Sequence, residues 1–149
     1  MIRLFSLLFF VSLLAGCHSK NETNTNNKPT VYIIGDSTVK NGRGDGAGGL
    51  WGWGDPIVQF FDTSKVKIEN HALGGTSSRT FRTKGLWDEV MRRIQPGDYV
   101  LMQFGHNDAG PVNDTIRARG TIHGIGEEIE VIDNLLTGEH ETVHTYGWY

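Results

Sequence analysis

The chain has 149 residues, enough for one domain of ordinary size. Hydrophobic residues make up 38% and charged residues 21%, which is usual for a globular protein. The formal net charge of −3 gives no indication of nucleic-acid binding, and a single cysteine, Cys17, excludes a disulfide within the chain.

The first residues have the pattern of an export signal. A short apolar run from Leu4 to Leu14 ends in Leu-Ala-Gly-Cys, which resembles a bacterial lipoprotein cleavage box. We predict a lipoprotein signal peptide over residues 1–17, with Cys17 as the lipid-bearing mature N-terminus, and a polar tether over residues 18–29. The protein would be exported and held at a membrane by this lipid only, on the periplasmic side or the cell surface. The alternative is a plain signal peptide with a small-residue cleavage site.

The first predicted strand is the apolar run from Val31 to Ile34. Four apolar residues in a row, three of them β-branched, are typical of a strand buried on both faces. Gly35 ends the run, and Asp36, Ser37 and Thr38 favour the start of a helix. Open α/β sheets place reactive groups at such strand ends, so Ser37 is a candidate nucleophile.

A glycine-rich segment and two tryptophans follow this strand. Gly44, Gly46 and Gly49 match the spacing G-x-G-x-x-G, but no strand stands immediately before them, so a surface loop is the better interpretation than a nucleotide site. Trp51 and Trp53 are candidates for binding a sugar, with core packing as the alternative for at least one of them.

The middle of the chain predicts two further strands and two helices. Residues Val66 to His71 form the second strand, and the serine–threonine run after Gly75 starts a helix. A second helix is predicted from Gly85 to Ile94, and the third strand runs from Tyr99 to Phe104.

Each of the three strands ends in polar or glycine-rich residues. In a βαβ arrangement the carboxyl ends of parallel strands lie at the same edge of the sheet. This arrangement would bring Ser37, Gly75 and Asn107 together.

Three motifs in this order resemble those of the SGNH (GDSL-type) hydrolases, and most closely the rhamnogalacturonan acetylesterase group. They are Gly35-Asp36-Ser37, the segment from Asn70 to Gly75 with Arg79, and Gly105-His106-Asn107-Asp108. The resemblance implies an α/β fold over residues 30–149, a three-layer α/β/α sandwich with a flavodoxin-like parallel sheet. It also implies a serine esterase that removes acetyl groups from pectic polysaccharide without a cofactor or metal.

The resemblance assigns roles to particular residues. Ser37 would be the nucleophile, and an oxyanion hole would be formed by the Ser37 and Gly75 N–H groups and the Asn107 side chain. The remaining motif residues would support these groups: Gly35, Asp36, Arg79, His106 and Asp108.

One element of the family pattern is missing from this sequence. The family supplies its Asp and His from an Asp-x-x-His motif, and the chain contains no Asp-x-x-His. We therefore expect the chain to be the N-terminal portion of an SGNH domain, with little or no activity by itself. The non-enzymatic alternative is a lipoprotein that keeps only a sugar-binding face, with Trp51 and Trp53 as the candidate residues.

The C-terminal part carries a rival motif. From Ala109 to Gly138 the pattern predicts a surface insertion that could contain a hairpin. The segment His140-Glu141-Thr142-Val143-His144 then matches H-E-x-x-H. On a helix, the two histidines would bind zinc and Glu141 would act as base, as in a truncated metalloprotease. The third zinc ligand is absent, and the esterase resemblance predicts the start of a packing helix in this segment.

Overall fold

The computed structural model describes residues 28–149. The predicted signal peptide, Cys17 and the predicted tether up to residue 27 lie outside the described residues. Within residues 28–149, none of the helices combines the length and the apolar character needed to cross a membrane.

A three-stranded parallel sheet lies at the centre of the fold. Thr30–Gly35 (β1) is hydrogen-bonded on one side to Lys67–Asn70 (β2) and on the other to Tyr99–Gln103 (β3). Every residue of β1 is buried, which explains why its sequence is continuously apolar rather than alternating. The predicted α/β fold with a parallel sheet is confirmed.

Apolar clusters cover both faces of β1, because alternate residues of a strand point to opposite sides. Two 3-10 helices follow β1, Ala47–Gly49 and Pro56–Phe60. Ile57 of the second 3-10 helix packs on one face of β1, which we call the first face. Two α-helices cover the second face. The apolar cluster on the first face contains Val31, Ile33, Val39 and Ala72, with Trp53, Ile57, Val66 and Ile68 packed against it. The second contains Tyr32, Ile34, Phe81 and Val90.

The two α-helices of the second face are Ser78–Thr83 (α1) and Leu86–Met91 (α2). A capping box starts α1: the Ser77 hydroxyl accepts the N–H of Thr80, and the Thr80 hydroxyl accepts the N–H of Ser77. The predicted helix start in the serine–threonine run is therefore correct. The second helix is shorter than the predicted span from 85 to 94.

An antiparallel hairpin follows the sheet. Ile129–Asp133 (β4) pairs with His140–His144 (β5), so that Ile129 lies opposite His144 and Asp133 opposite His140. The prediction of a helix in the segment from 140 onward is wrong. Thr142 and Val143 are β-branched and favour the extended strand that is observed.

Candidate active site

A tight turn after β1 carries Ser37. Asp36 is buried, and its Oδ1 accepts hydrogen bonds from the N–H (2.8 Å) and the hydroxyl (2.7 Å) of Thr38. The N–H groups of Val39 and Lys40 both donate to the Asp36 carbonyl. Asp36 therefore stabilises a single turn, and the helix predicted to begin here does not form. Ser37 stands half-buried on this turn.

A chain of hydrogen bonds ties this turn to the end of β3. Gln103 Nε2 donates to the Thr38 hydroxyl (3.0 Å), and the Trp53 indole N–H donates to Gln103 Oε1 (2.6 Å). Trp53 is partly buried against the first apolar cluster, whereas Trp51 is 57% exposed. Gln103 is not among the predicted site residues, although its place at the carboxyl end of a predicted strand was a usable signal.

The loop after β2 brings Gly74, the neighbour of Gly75, close to Ser37. The Leu73 N–H donates to the Gly35 carbonyl (3.0 Å), and a Cβ placed on Gly74 would lie 3.6 Å from the Cβ of Ser37. Gly75 has φ +86°, a left-handed conformation that glycine adopts without a steric penalty. Within residues 28–149 no backbone acceptor pairs with the Gly75 N–H, so this donor is available to an anion.

Asn107 reaches the same place from the loop after β3. The residue is 3% exposed, and its Nδ2 donates to the carbonyl of Thr76 at 2.7 Å. An asparagine amide carries two N–H donors, so this bond leaves a second donor beside the Thr76–Ser77 peptide, one residue beyond Gly75. The loop that carries Gly75 therefore borders Ser37 through Gly74 and binds Asn107 through Thr76, at one edge of the sheet.

Asp108 joins the loop after β3 to the start of α1. Its Oδ1 accepts the N–H (3.0 Å) and the hydroxyl of Ser78, and its Oδ2 accepts the Gly105 N–H at 2.9 Å. Its carbonyl accepts the N–H of Thr121 (3.0 Å). His106, between Asn107 and Gly105, is exposed. Asp108 thus fixes the position of its neighbour Asn107.

Arg79 is fully buried and holds the hairpin against α1. Its Nε and Nη2 donate to the two carboxylate oxygens of Glu141 at 2.7 and 2.5 Å, and its Nη1 donates to the carbonyls of Val112 and Gly120. Burial raises the pKa of the Glu141 carboxyl, but hydrogen bonds from Arg79 and Asn134 outweigh it, and the net pKa is lower than usual.

The residues of the H-E-x-x-H segment do not converge on one point. His140 Nδ1 lies 2.9 Å from Asp133 Oδ1, and the His144 ring stacks on Trp148 with centroids 3.6 Å apart. Neighbouring side chains on a strand point to opposite faces, so Glu141 faces away from both histidines. No group of three His, Cys, Asp or Glu side chains in the described range is placed to hold a metal ion. This geometry does not fit the zinc site of the alternative prediction.

Among residues 28–149, no histidine ring is hydrogen-bonded to Ser37. The histidine-ring hydrogen bonds found among residues 28–149 join His71 to Glu69 (2.8 Å) and His140 to Asp133. The described part of the site therefore provides a candidate nucleophile and N–H donors, with no histidine base bonded to the serine.

Comparison with known proteins identifies the family. Residues 31–132 match the model of the GDSL-like Lipase/Acylhydrolase family, and the chain belongs to this family. The predicted membership in the SGNH group is confirmed, together with its resemblance to serine carboxylic-ester hydrolases.

The chain is also similar to individual proteins of known name, over part of their length. The chain is 35% identical over 120 residues to the rhamnogalacturonan acetylesterase of Emericella nidulans, an alignment that covers 80% of this chain and 44% of that protein. It is 41% identical over 81 residues to the rhamnogalacturonan acetylesterase RhgT of Bacillus subtilis, covering 54% and 34% of the two chains. The crystal structure of protein YxiM from B. subtilis matches 57% of this chain and 24% of that one, with 33% identity and a TM-score of 0.49. The chain thus spans less than half the length of these relatives.

Proposed function

We propose that this chain carries the nucleophile and the oxyanion hole of a serine esterase that removes acetyl groups from pectic polysaccharide. The observation that carries the proposal is that the loop of Gly75 borders Ser37 through Gly74 and binds Asn107 through Thr76, at the carboxyl edge of the sheet. Two relatives named rhamnogalacturonan acetylesterase support the acetylated pectic substrate.

The proposed reaction is an acyl transfer in two steps. Ser37 Oγ attacks the acetyl carbonyl carbon as a base takes its proton, and the developing oxyanion accepts hydrogen bonds from the Gly75 N–H and the Asn107 amide. As this intermediate collapses, the base returns the proton to the sugar oxygen, the C–O bond to the sugar breaks, and the sugar alcohol leaves acetyl-Ser37. Water then attacks the acyl group, releases acetate and restores the serine. The steps call for no cofactor or metal.

We also propose export and lipid attachment at Cys17, on the pattern of residues 1–17. A lipid-anchored enzyme outside the cytoplasm would meet a polymer that is too large to be imported. Incorporation of radiolabelled palmitate into the wild-type protein in the producing cell, and no incorporation into Cys17→Ala, would support this attachment.

Addition of imidazole tests the proposed nucleophile. A neutral serine is a weak nucleophile, so the chain by itself should hydrolyse acetyl esters slowly. Imidazole in solution can act as the base, and we expect it to raise acetate release from an acetylated oligogalacturonide on the order of tenfold, less than the hundredfold or more of a positioned base. Acetate is measured by NMR at several imidazole concentrations.

Two variants complete this experiment. Ser37→Ala should release acetate no faster than imidazole alone, whereas Ser64→Ala, which removes an exposed hydroxyl in another turn, should behave as the wild type. Equal rates in the wild type and Ser37→Ala would overturn the proposal.

A sugar-binding protein without catalysis is the second candidate, favoured by the exposure of Trp51. Gly46 packs under its indole so closely that any Cβ there would collide with the ring. The ring is nevertheless 57% exposed, as a platform for a sugar would be. Binding of pectic oligosaccharides that is lost in Trp51→Ala, without hydrolysis even with imidazole, would favour this candidate.

A further inference from the structure

The Arg119 side chain lies beside the candidate oxyanion hole. Its Nη1 donates to the Gly75 carbonyl at 2.7 Å, and a Cβ placed on Gly75 would lie 3.6 Å from the same nitrogen. Gly74, the preceding residue, borders Ser37. Arg119 lies in the predicted insertion, where no sequence pattern indicates which residues return to the sheet edge.

Most hydrogen-bond donors of this guanidinium are not used. A guanidinium has five N–H donors, and within residues 28–149 the one hydrogen bond of the Arg119 side chain is the bond to Gly75. It forms no ion pair there, in contrast to Arg79, whose guanidinium binds Glu141 and two carbonyls. Burial lowers the pKa of Arg119, but an arginine remains charged at neutral pH.

The loop before Arg119 is held in an unusual conformation. Ala118 is buried with φ +39°, the one non-glycine residue with a positive φ among residues 28–149. Asp114 Oδ1 maintains this bend by accepting the N–H groups of Ile116, Arg117 and Ala118 at 2.7, 2.5 and 3.0 Å. Such backbone strain persists where the surrounding contacts enforce it, and it is concentrated at functional sites.

The residues after Arg119 are hydrogen-bonded to Pro111, Arg79 and Asp108. The Gly120 N–H donates to the Pro111 carbonyl (2.9 Å), and the Gly120 carbonyl accepts from buried Arg79 (2.8 Å). Thr121 then bonds to Asp108. The backbone is therefore held by hydrogen bonds on both sides of Arg119, and this loop positions the guanidinium at the site.

We propose that Arg119 binds the carboxylate of a uronic-acid residue in the sugar chain that carries the acetyl group. A guanidinium and a carboxylate match as a planar pair with two hydrogen bonds, and pectic chains carry such carboxylates where neutral acetylated glycans do not. This inference rests on the proposed function for the position of the acetyl group. It concerns binding, however, and binding can be measured without hydrolysis.

The test is the affinity of the full chain for trigalacturonate, measured by calorimetry in low salt. We expect Arg119→Gln to raise the Kd about tenfold, since one charge-assisted pair is lost. Glutamine is two bonds shorter than arginine and does not keep the bond from Nη1 to the Gly75 carbonyl, so the effect of losing this contact is measured with a neutral ligand. The matched control is Arg117→Gln, which removes the same charge from an exposed neighbour and should change the Kd less than twofold.

A neutral ligand separates recognition of the carboxylate from a structural role. The wild type should bind the fully methyl-esterified trimer as weakly as Arg119→Gln binds the acid, and Arg119→Gln should bind both trimers alike. Equal weakening of both trimers by Arg119→Gln, or equal effects of Arg117→Gln and Arg119→Gln, would overturn the inference. These affinities are measured without hydrolysis, so a failure of imidazole to promote hydrolysis would count against the esterase reaction and not against Arg119.

Discussion

Glu141→Gln is expected to lower the free energy of unfolding by about 3 kcal/mol. The substitution keeps the size of the side chain but leaves the guanidinium of Arg79, which is fully buried, without its counter-charge. Water cannot replace the lost carboxylate at a side chain with no exposed surface. The measurement is urea unfolding at pH 7, followed by tryptophan fluorescence.

Two further variants test whether this loss of stability comes from the unpaired buried charge. Arg43→Met breaks an exposed ion pair with Asp45 and should cost less than about 1 kcal/mol. The double variant Arg79→Met with Glu141→Met should lose less than the sum of its single changes, because no uncompensated charge remains. A loss in Glu141→Gln no larger than in Arg43→Met would show that the buried pair does not hold the hairpin.

The pair also predicts a dependence of stability on pH. The pKa of Glu141 is lowered in the folded protein, so its contribution is fully present above the ordinary value of 4.5. The contribution is lost as the pH falls below that value and through the folded pKa. The difference in stability between the wild type and Glu141→Gln should therefore shrink below pH 4.5. A difference that stays constant on acidification would contradict this assignment.

Asp108→Asn is expected to cost about 2 kcal/mol of stability and to loosen the loop that carries Asn107. The carboxylate accepts hydrogen bonds on both oxygens, from Ser78 and from the Gly105 N–H. An amide can accept on one side only, so its NH₂ group would face a backbone or hydroxyl donor. Urea unfolding measures the loss, and faster amide hydrogen exchange at Gly105 reports the loosening.

Ser78→Ala is the matched control for this substitution. It removes one donor to Asp108 but leaves the charged acceptor and the Gly105 bond in place, so it should cost about 1 kcal/mol and leave exchange at Gly105 unchanged. If exchange at Gly105 were as fast in Ser78→Ala as in Asp108→Asn, Asp108 would not be the residue that fixes this loop.

The strands and their common edge could be predicted because their signals are local. A buried central strand shows as the apolar run Val31 to Ile34, and glycine and polar residues mark its end. The meeting of Ser37 with Gly75 and Asn107 then follows from the geometry of parallel strands. The turn after β1 could not be foreseen, since Asp36 was expected to cap a helix and instead its side chain closes a turn onto Thr38.

The remaining differences arise from contacts between residues far apart in the chain. Arg79 is 62 residues from Glu141, and Arg119 is 44 residues from Gly75, and no periodicity records such pairs. H-E-x-x-H indicates zinc only on a helix, where the histidines and the glutamate lie on suitable faces. In the hairpin, Glu141 lies on the face of β5 opposite to His140 and His144, where its carboxylate accepts hydrogen bonds from Arg79.

Covalent labelling of Ser37 tests the central claim most directly. The full chain is incubated with a fluorophosphonate in the presence of imidazole, digested, and sequenced by tandem mass spectrometry. We expect one phosphonyl adduct, on Ser37, which is absent from Ser37→Ala and weaker in Asn107→Ala because the oxyanion loses a donor. An adduct on another residue, or equal labelling of the wild type and Ser37→Ala, would contradict it.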